Sequence, residues 1–411
     1  MSDLYDDPTM FLFTPENANE PHDAYRKMRD ECPVARGTGF DGVPEVTISR
    51  YEDVWHALRH PEQFSSAPDA VSIGQEHALI PLQVDPPDHS RYRRLLDPQF
   101  GPKRMAELEP GVREYVNRLI DGFASRGECD FHEEFATPLP STVFLLLLGL
   151  PISDLPLLLQ WRDNTVRPDV DPNDWDAAVA IREQTGREVN EYFERAIAQR
   201  REHPDDGLLS RLVHAEMEGR PLTQEELLGM CHLLMLAGLD TVTATLDCFI
   251  AYLAEHPEQR RRLVDDPTLS SGAVEELIRW ETPVQMVARV LKEDTTLGGV
   301  ELKKGDRAAI VIGAANSDEE AFGGADAVDF TRQANRHVAF GAGPHRCLGS
   351  HLARLELRVA LEEFHRRIPE YRIAPDAHLK YSPGIRQTES LPLVFEPEAA
   401  AARGEVVAGT A

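Results

Sequence analysis

Phe340-Gly341-Ala342-Gly343-Pro344-His345-Arg346-Cys347-Leu348-Gly349 sets three glycines, a proline, a histidine and one cysteine in ten residues. It stands directly ahead of an amphipathic run through Ala353, Leu355, Leu357, Val359, Leu361 and Phe364. A loop so stiff and so poor in side chains delivers a single thiol to a helix start. Unpaired N–H groups and the positive end of the helix dipole favour thiolate over thiol there, which makes Cys347 a candidate soft metal ligand. The glycines let backbone approach something large and flat, and His345 can donate to an acidic group on it. The alternative is a cysteine buried as a small hydrophobe.

Upstream, the longest helical pattern starts at Thr223, whose side chain and that of Glu226 form a capping box, and runs to about Glu255 before Pro257. Its middle, Leu233 to Leu239, is apolar nearly all round, as in a buried helix. Gly238 conflicts with that burial, at roughly 1 kcal/mol relative to alanine. So do Asp240 and Thr241, an acid and a hydroxyl in an apolar core. Conflicts of this kind are expected at functional sites, a helix kink being the plainer reading. Asp85-Pro86-Pro87-Asp88 is a stiff turn opening a helix in which His89 and Arg93, four apart, share one face. Glu276 and Arg279 are three apart, and Thr282 to Arg289 reads as an extended segment after Pro283 ends a helix.

Phe-x-x-Gly-x-His-x-Cys-x-Gly resembles the haem-binding loop of the cytochrome P-450 superfamily, and the other signatures follow in family order. The resemblance spans about Pro21 to Phe395. It implies a mainly α, single-domain cytochrome P-450 fold with a small β-rich side, enclosing haem b (iron protoporphyrin IX). It assigns Cys347 as the axial iron ligand, and His89, Arg93, Arg289 and His345 as donors to the haem propionates. Ala-Gly-x-Asp-Thr resembles the oxygen-activating segment, with Asp240 and Thr241 as catalytic proton relay. Glu276 and Arg279 match a structural ion pair. The implied activity is monooxygenation: dioxygen and external electrons are used to hydroxylate or epoxidise an apolar small molecule such as a terpenoid, steroid, fatty acid or polyketide-like compound. A peroxygenase or isomerase on the same scaffold, or a non-catalytic haem-thiolate sensor, is the alternative. Retention of both Asp240 and Thr241 argues against the first, and the lack of length for a signalling module against the second. Residues 64–84, 165–180, 284–288 and 385–388 are the expected substrate contacts.

A net charge of −27, from 43 basic and 70 acidic residues, excludes general affinity for nucleic acid or anionic membrane. Five cysteines without C-x-x-C pairs read as reduced thiols, hence a cytoplasmic protein. No signal sequence or membrane anchor is visible, and the apolar run Val143 to Leu150 is too short to cross a bilayer. Residues 1–20 read as a loose lead-in, 21–395 as the haem domain and 396–411 as a tail expected to be disordered. Helices are expected from Pro110 to Ala124, Ser141 to Leu148 and Trp175 to about Arg201, with Pro156, Pro168 and Pro172 as breakers. A hairpin is expected with its turn at Lys304-Gly305. There is no P-loop and no dinucleotide fingerprint, so electrons come from a separate partner, a ferredoxin-type donor with its reductase. A basic patch including Arg354 and Arg358 is expected to dock it.

Overall fold

Prolines and capping residues open most of the helices in this computed structural model, which describes residues 8–39, 43–70, 72–171 and 174–398. The helices that position the site are α1 (Pro21–Glu31), α2 (Tyr51–Arg59), α3 (Asp88–Leu96), α4 (Pro102–Asp121) and α5 (Pro138–Leu148). They are followed by α6 (Leu155–Val166), α7 (Trp175–Glu202), α8 (Gln224–Leu239), α9 (Thr241–Glu255), α10 (Ser270–Glu281) and α11 (Ser350–Arg367). Proline stands in the first turn of α1, α4, α5 and α6, where its missing N–H costs nothing. Pro156 therefore starts a helix instead of breaking one. Pro110 lies inside α4, which begins eight residues before the expected start.

A five-stranded sheet is ordered β1 (Val34–Thr38), β2 (Pro44–Ile48), β8 (Arg307–Val311), β5 (Met286–Leu291) and β3 (Phe64–Ser65). Strand β8 runs parallel to β2 and antiparallel to β5, with Ala308 opposite both Val46 and Arg289. A three-stranded sheet joins β9 (Tyr371–Ile373), β10 (Pro392–Phe395) and β4 (Glu128–Asp130). The expected hairpin is displaced. Strands β6 (Thr295–Leu297) and β7 (Val300–Leu302) pair with each other across Gly298-Gly299, whose positive φ values of 55° and 80° suit a tight turn. Lys304-Gly305 only carries the chain on to β8 in the other sheet.

The longest helical pattern is two helices, not one. The capping box forms as expected: the Glu226 N–H donates to Thr223 Oγ1 at 3.2 Å and the Thr223 N–H to Glu226 Oε2 at 2.7 Å. The helix then breaks at Asp240, with φ −123° and ψ −44°. Gln224–Glu255 is apolar and long enough to cross a membrane, but it is mostly buried inside the protein. Helices α8 and α9 divide the core: Phe123, Phe131, Phe249 and Phe364 pack on the α9 side, and Phe144, Trp161, Phe193 and Met235 on the α8 side.

One part of the domain reading changes. Residues Pro8–Leu12 and Pro15–Asn19 form short helices with Leu12 and Ala18 buried, so the described part of the lead-in is packed structure. Arg386 fastens it, donating to the Ala18 and Asn19 carbonyls and pairing with Glu281 at 2.5 Å. Residues 1–7, most of the expected tail (399–411) and Pro172 lie outside the described residues.

Candidate active site

The loop between Phe340 and Gly349 is held by its own backbone. The Cys347 N–H donates to the Phe340 carbonyl at 2.8 Å, and the Gly341 N–H to the Val338 carbonyl at 2.7 Å. Gly343 is required twice over: its φ is +67°, and a Cβ there would lie 2.6 Å from the Leu58 carbonyl oxygen of α2. Cys347 itself is exposed, and Ser350, the first residue of α11, is three residues further on. The thiol therefore precedes the helix and does not sit in its first turn. Its low-dielectric surroundings push the Cys347 thiol up, opposed by the Gly349 N–H and the guanidinium groups of Arg93, Arg354 and Arg346. Without a cation on the sulfur, that balance favours the protonated thiol.

Beside it, three of the four expected propionate donors converge. His89, on α3, is 2% exposed, and its ring lies 4.3 Å from that of His345 in the loop. Neither ring nitrogen of His89 has a hydrogen-bond partner, nor has Nε2 of His345. Burial lowers both, His345 to about 3, with Arg289 and His89 adding to the effect at His345. Arg289, on β5, is 6% exposed, and among the described residues its guanidinium donates to the carbonyl of its neighbour Ala288 at 2.7 Å. Burial depresses even this guanidinium to about 10. Buried donors are normally satisfied, and a buried cation without an acid is unfavourable. The cluster therefore fits the acidic edge of an anionic ligand, and the nearby cysteine fits its metal. Arg93 differs: it donates to Asp97 at 2.7 Å and to the Arg346 carbonyl at 2.6 Å, tying α3 to the cysteine loop.

Asp240 and Thr241 lie at the break between α8 and α9. The Thr241 hydroxyl donates across it to the Ala237 carbonyl at 3.0 Å. Asp240 is fully buried, and Arg167 holds both its oxygens, Nη2 at 2.5 Å from Oδ1 and Nη1 at 3.2 Å from Oδ2. Arg162 Nε stands 3.8 Å away and its Nη1 donates to the Leu239 carbonyl. These arginines were not singled out in the sequence, where two basic residues near Pro168 look like surface. A buried acid needs a cation, and that requirement is the one signal that points to them. Gly238 has a structural cause: a Cβ there would lie 2.4 Å from the Phe144 ring of α5.

Glu276 and Arg279 form a buried pair, with Nη2–Oε1 at 2.8 Å and Nε–Oε2 at 2.9 Å. Arg279 also donates to the Asn316, Ala325 and Ala327 carbonyls, and Arg332 adds a second cation to Glu276. This is scaffold, as expected. The expected substrate segments are partly committed elsewhere: Gln285 donates to the Tyr25 hydroxyl, Met286 packs beside Leu12 and Tyr25, and Arg386 is the clasp described above.

Arg354 and Arg358 of the expected basic docking patch are both paired with acids. Arg354 grips Glu275 with both ends of its fork, at 2.6 and 2.8 Å, and Arg358 pairs with Glu109 at 2.7 Å and Glu362 at 3.1 Å. These pairs border a cleft of about 280 Å³ floored by Met105, Ala106 and Leu355. An i, i+4 spacing of arginines shows that they share a face, but not which acids on α4 and α10 face them.

The cytochrome P450 family model matches residues 9–266 and 268–368. A steroid C26-monooxygenase of Mycolicibacterium smegmatis is 36% identical over 382 residues, 92% of this chain and 93% of that protein. A vitamin D(3) 25-hydroxylase of Pseudonocardia autotrophica is 34% identical over 400 residues, 95% and 97% of the two chains. Among solved structures, CYP109E1 from Bacillus megaterium, in complex with testosterone, superposes with a TM-score of 0.87 at 30% identity, covering 93% of this chain and 100% of that one. The chain belongs to the cytochrome P450 family. It is a haem b-dependent monooxygenase of apolar small molecules.

Proposed function

We propose that this monooxygenase takes steroid-like substrates, that Cys347 would ligate the haem iron, and that Asp240 and Thr241 deliver the protons that the reaction consumes. The observation that carries the site assignment is the set of buried, unpartnered ring nitrogens of His89 and His345, with Arg289 lacking an acid partner among the described residues, beside an exposed cysteine. His89, Arg289 and His345 would hold the propionates, with Arg93 positioning the loop and adding positive potential. When bound, the thiolate-ligated haem supplies the dioxygen-cleaving chemistry. Thr241 can present its hydroxyl at the helix break, and Asp240 can exchange a proton there when its grip by Arg167 loosens. The steroid class rests on the relatives that act on or bind a sterol skeleton.

We also assign the electron supply to a small ferredoxin-type iron–sulfur donor. The chain carries no flavin or nicotinamide motif of its own. The five unpaired cysteines suit the cytoplasm, where thiols stay reduced. The reduced, CO-bound protein should show the red-shifted Soret band of haem-thiolate proteins, and Cys347→Ser should abolish that band and all turnover. Testosterone titrated into ferric protein should shift the Soret band. Fatty acids shifting it at lower concentration than any steroid would overturn the substrate class, and a serine variant that keeps the CO band would overturn the ligand.

A further inference from the structure

A second buried acid lies on α9, the helix that Asp240 caps. Asp247 is fully buried on α9, and its Oδ2 lies 2.7 Å from Nδ1 of His132. The other oxygen, Oδ1, is buried without a partner. His132 opens a π-helical turn, residues His132–Ala136, that packs against α9, and its side chain keeps 12% exposure. Its second ring nitrogen lies 3.4 Å from Thr137 Oγ1. The pair therefore reaches from the edge of the protein to its centre.

Its placement follows a helical repeat. Thr243 and Asp247, four apart, share one face of α9, and Asp240 stands at the cap that opens it. Thr243 donates to the Ala136 carbonyl of the same π-helical turn at 3.0 Å, so that face meets the turn. Arginines alone would serve to neutralise Asp240, and packing gives no reason for a second acid in this wall. We propose that His132 and Asp247 are positioning residues for proton delivery: they hold a proton inside the protein on the helix that Asp240 caps, and their charge sets how readily Asp240 takes and releases its own.

This inference rests on the reading of Asp240 as a proton relay. In the step itself one proton passes from solvent to the imidazole, shared with Asp247, and no bond other than N–H or O–H changes. Other charges face the pair. Asp130 of β4 acts on both members, while Arg162 opposes the imidazolium. Arg167 and Asp240 act from the capped end of α9, and the Cys248 thiol adjoins Asp247. Asp130 is itself engaged by the Ser390 hydroxyl and the His132 and Leu391 N–H groups. Burial raises the Asp247 carboxyl to about 6, and Asp247 raises His132 against that residue's own burial. Seven residues span roughly 10.5 Å of helix. A unit charge at that range and an effective dielectric of about 20 moves a partner by about one pH unit.

The test uses the full-length, haem-loaded protein in its diamagnetic ferrous carbonyl form. With 15N-labelled histidine, the His132 resonance is identified by its loss in His132→Gln, and its titration is followed by NMR. Asp240→Asn removes a negative charge, so the imidazolium loses support and the His132 midpoint should fall by about one pH unit. Thr241→Ala should leave it in place. In turnover, Asp247→Asn should move the pH dependence of product formed per electron to lower pH by about one unit. His132→Gln should do the same, and neither should add to Asp240→Asn. A His132 midpoint indifferent to Asp240→Asn, with unmoved pH profiles in the two pair variants, overturns the inference and leaves a structural tie. If Asp247→Asn does not fold, the NMR titration and His132→Gln decide alone. Asp240→Asn with undiminished product per electron defeats the relay reading itself, a failure visible apart from the coupling.

Discussion

Two buried arginines ten residues apart behave in opposite ways. Arg279 is fully buried and spends its donors on Glu276 and three carbonyls, while Arg332 and Asn335 complete the carboxylate's shell. Arg289 is nearly as buried, yet gives one hydrogen bond to its neighbour's carbonyl and stands beside two histidines with idle nitrogens. Burial alone does not separate scaffold from site. What separates them is whether the protein satisfies the charge it has buried. Glu356 on α11 extends the contrast: it is 2% exposed with no cation to pair with among the described residues, and burial pushes its carboxyl up to about 8. An idle buried acid neutralises itself at pH 7, whereas a guanidinium cannot and has to wait for an anion.

The sharpest test of the contrast is Arg279→Leu. Removing one partner of a buried pair leaves Glu276 dependent on Arg332 and frees three carbonyls, so a loss of roughly 3–5 kcal/mol is expected in urea unfolding. A loss below 1 kcal/mol would erase the distinction between the two arginines. Next in size is the pH response of Glu356. Its native midpoint lies above the unfolded one, so the native state keeps a proton that the unfolded chain releases. Stability should therefore fall as pH rises from about 4.5 to 8, by the order of a few kcal/mol. Glu356→Gln should flatten that limb, and an unchanged slope would mean that the carboxyl finds a partner in solution.

Arg289→Leu should do the reverse of Arg279→Leu. Unfolding should be unchanged or slightly improved in haem-free protein, because an unpaired buried charge is gone, while haem leaves roughly ten times faster when transfer to apomyoglobin is followed. Equal losses of fold and of haem would place Arg289 with the scaffold. The smallest effect is expected at Arg354, whose ion pair with Glu275 is partly solvated. Arg354→Ala should cost no more than about 1 kcal/mol in stability. It should change the rate of first-electron transfer by less than threefold at physiological salt, because Glu275 already cancels most of its charge. A larger drop that disappears in high salt would restore the basic docking patch.

How far each part could be read follows from the range of the forces involved. Caps, helix-opening prolines and the glycines of the cysteine loop act over a few residues, so helix α7, the Thr223 capping box and the loop itself were legible. The hairpin was misplaced because Lys-Gly and Gly-Gly both favour turns, and pairing partners select between them. The break at Asp240 was legible only as the helix-kink alternative, because Leu233 to Leu239 continues a helical pattern up to it.

The sequence by itself determined the family and singled out the cysteine loop and the Asp240-Thr241 pair as candidates, since each is written in residue types at short spacing. Tertiary structure alone decided which charges meet. It brought Arg167 and Arg162 to Asp240, Arg332 to Glu276, His132 to Asp247, and acids from neighbouring helices to Arg354 and Arg358. Whether a charge is neutralised or left idle depends on groups far along the chain and close in space, and local sequence carries no record of those distances.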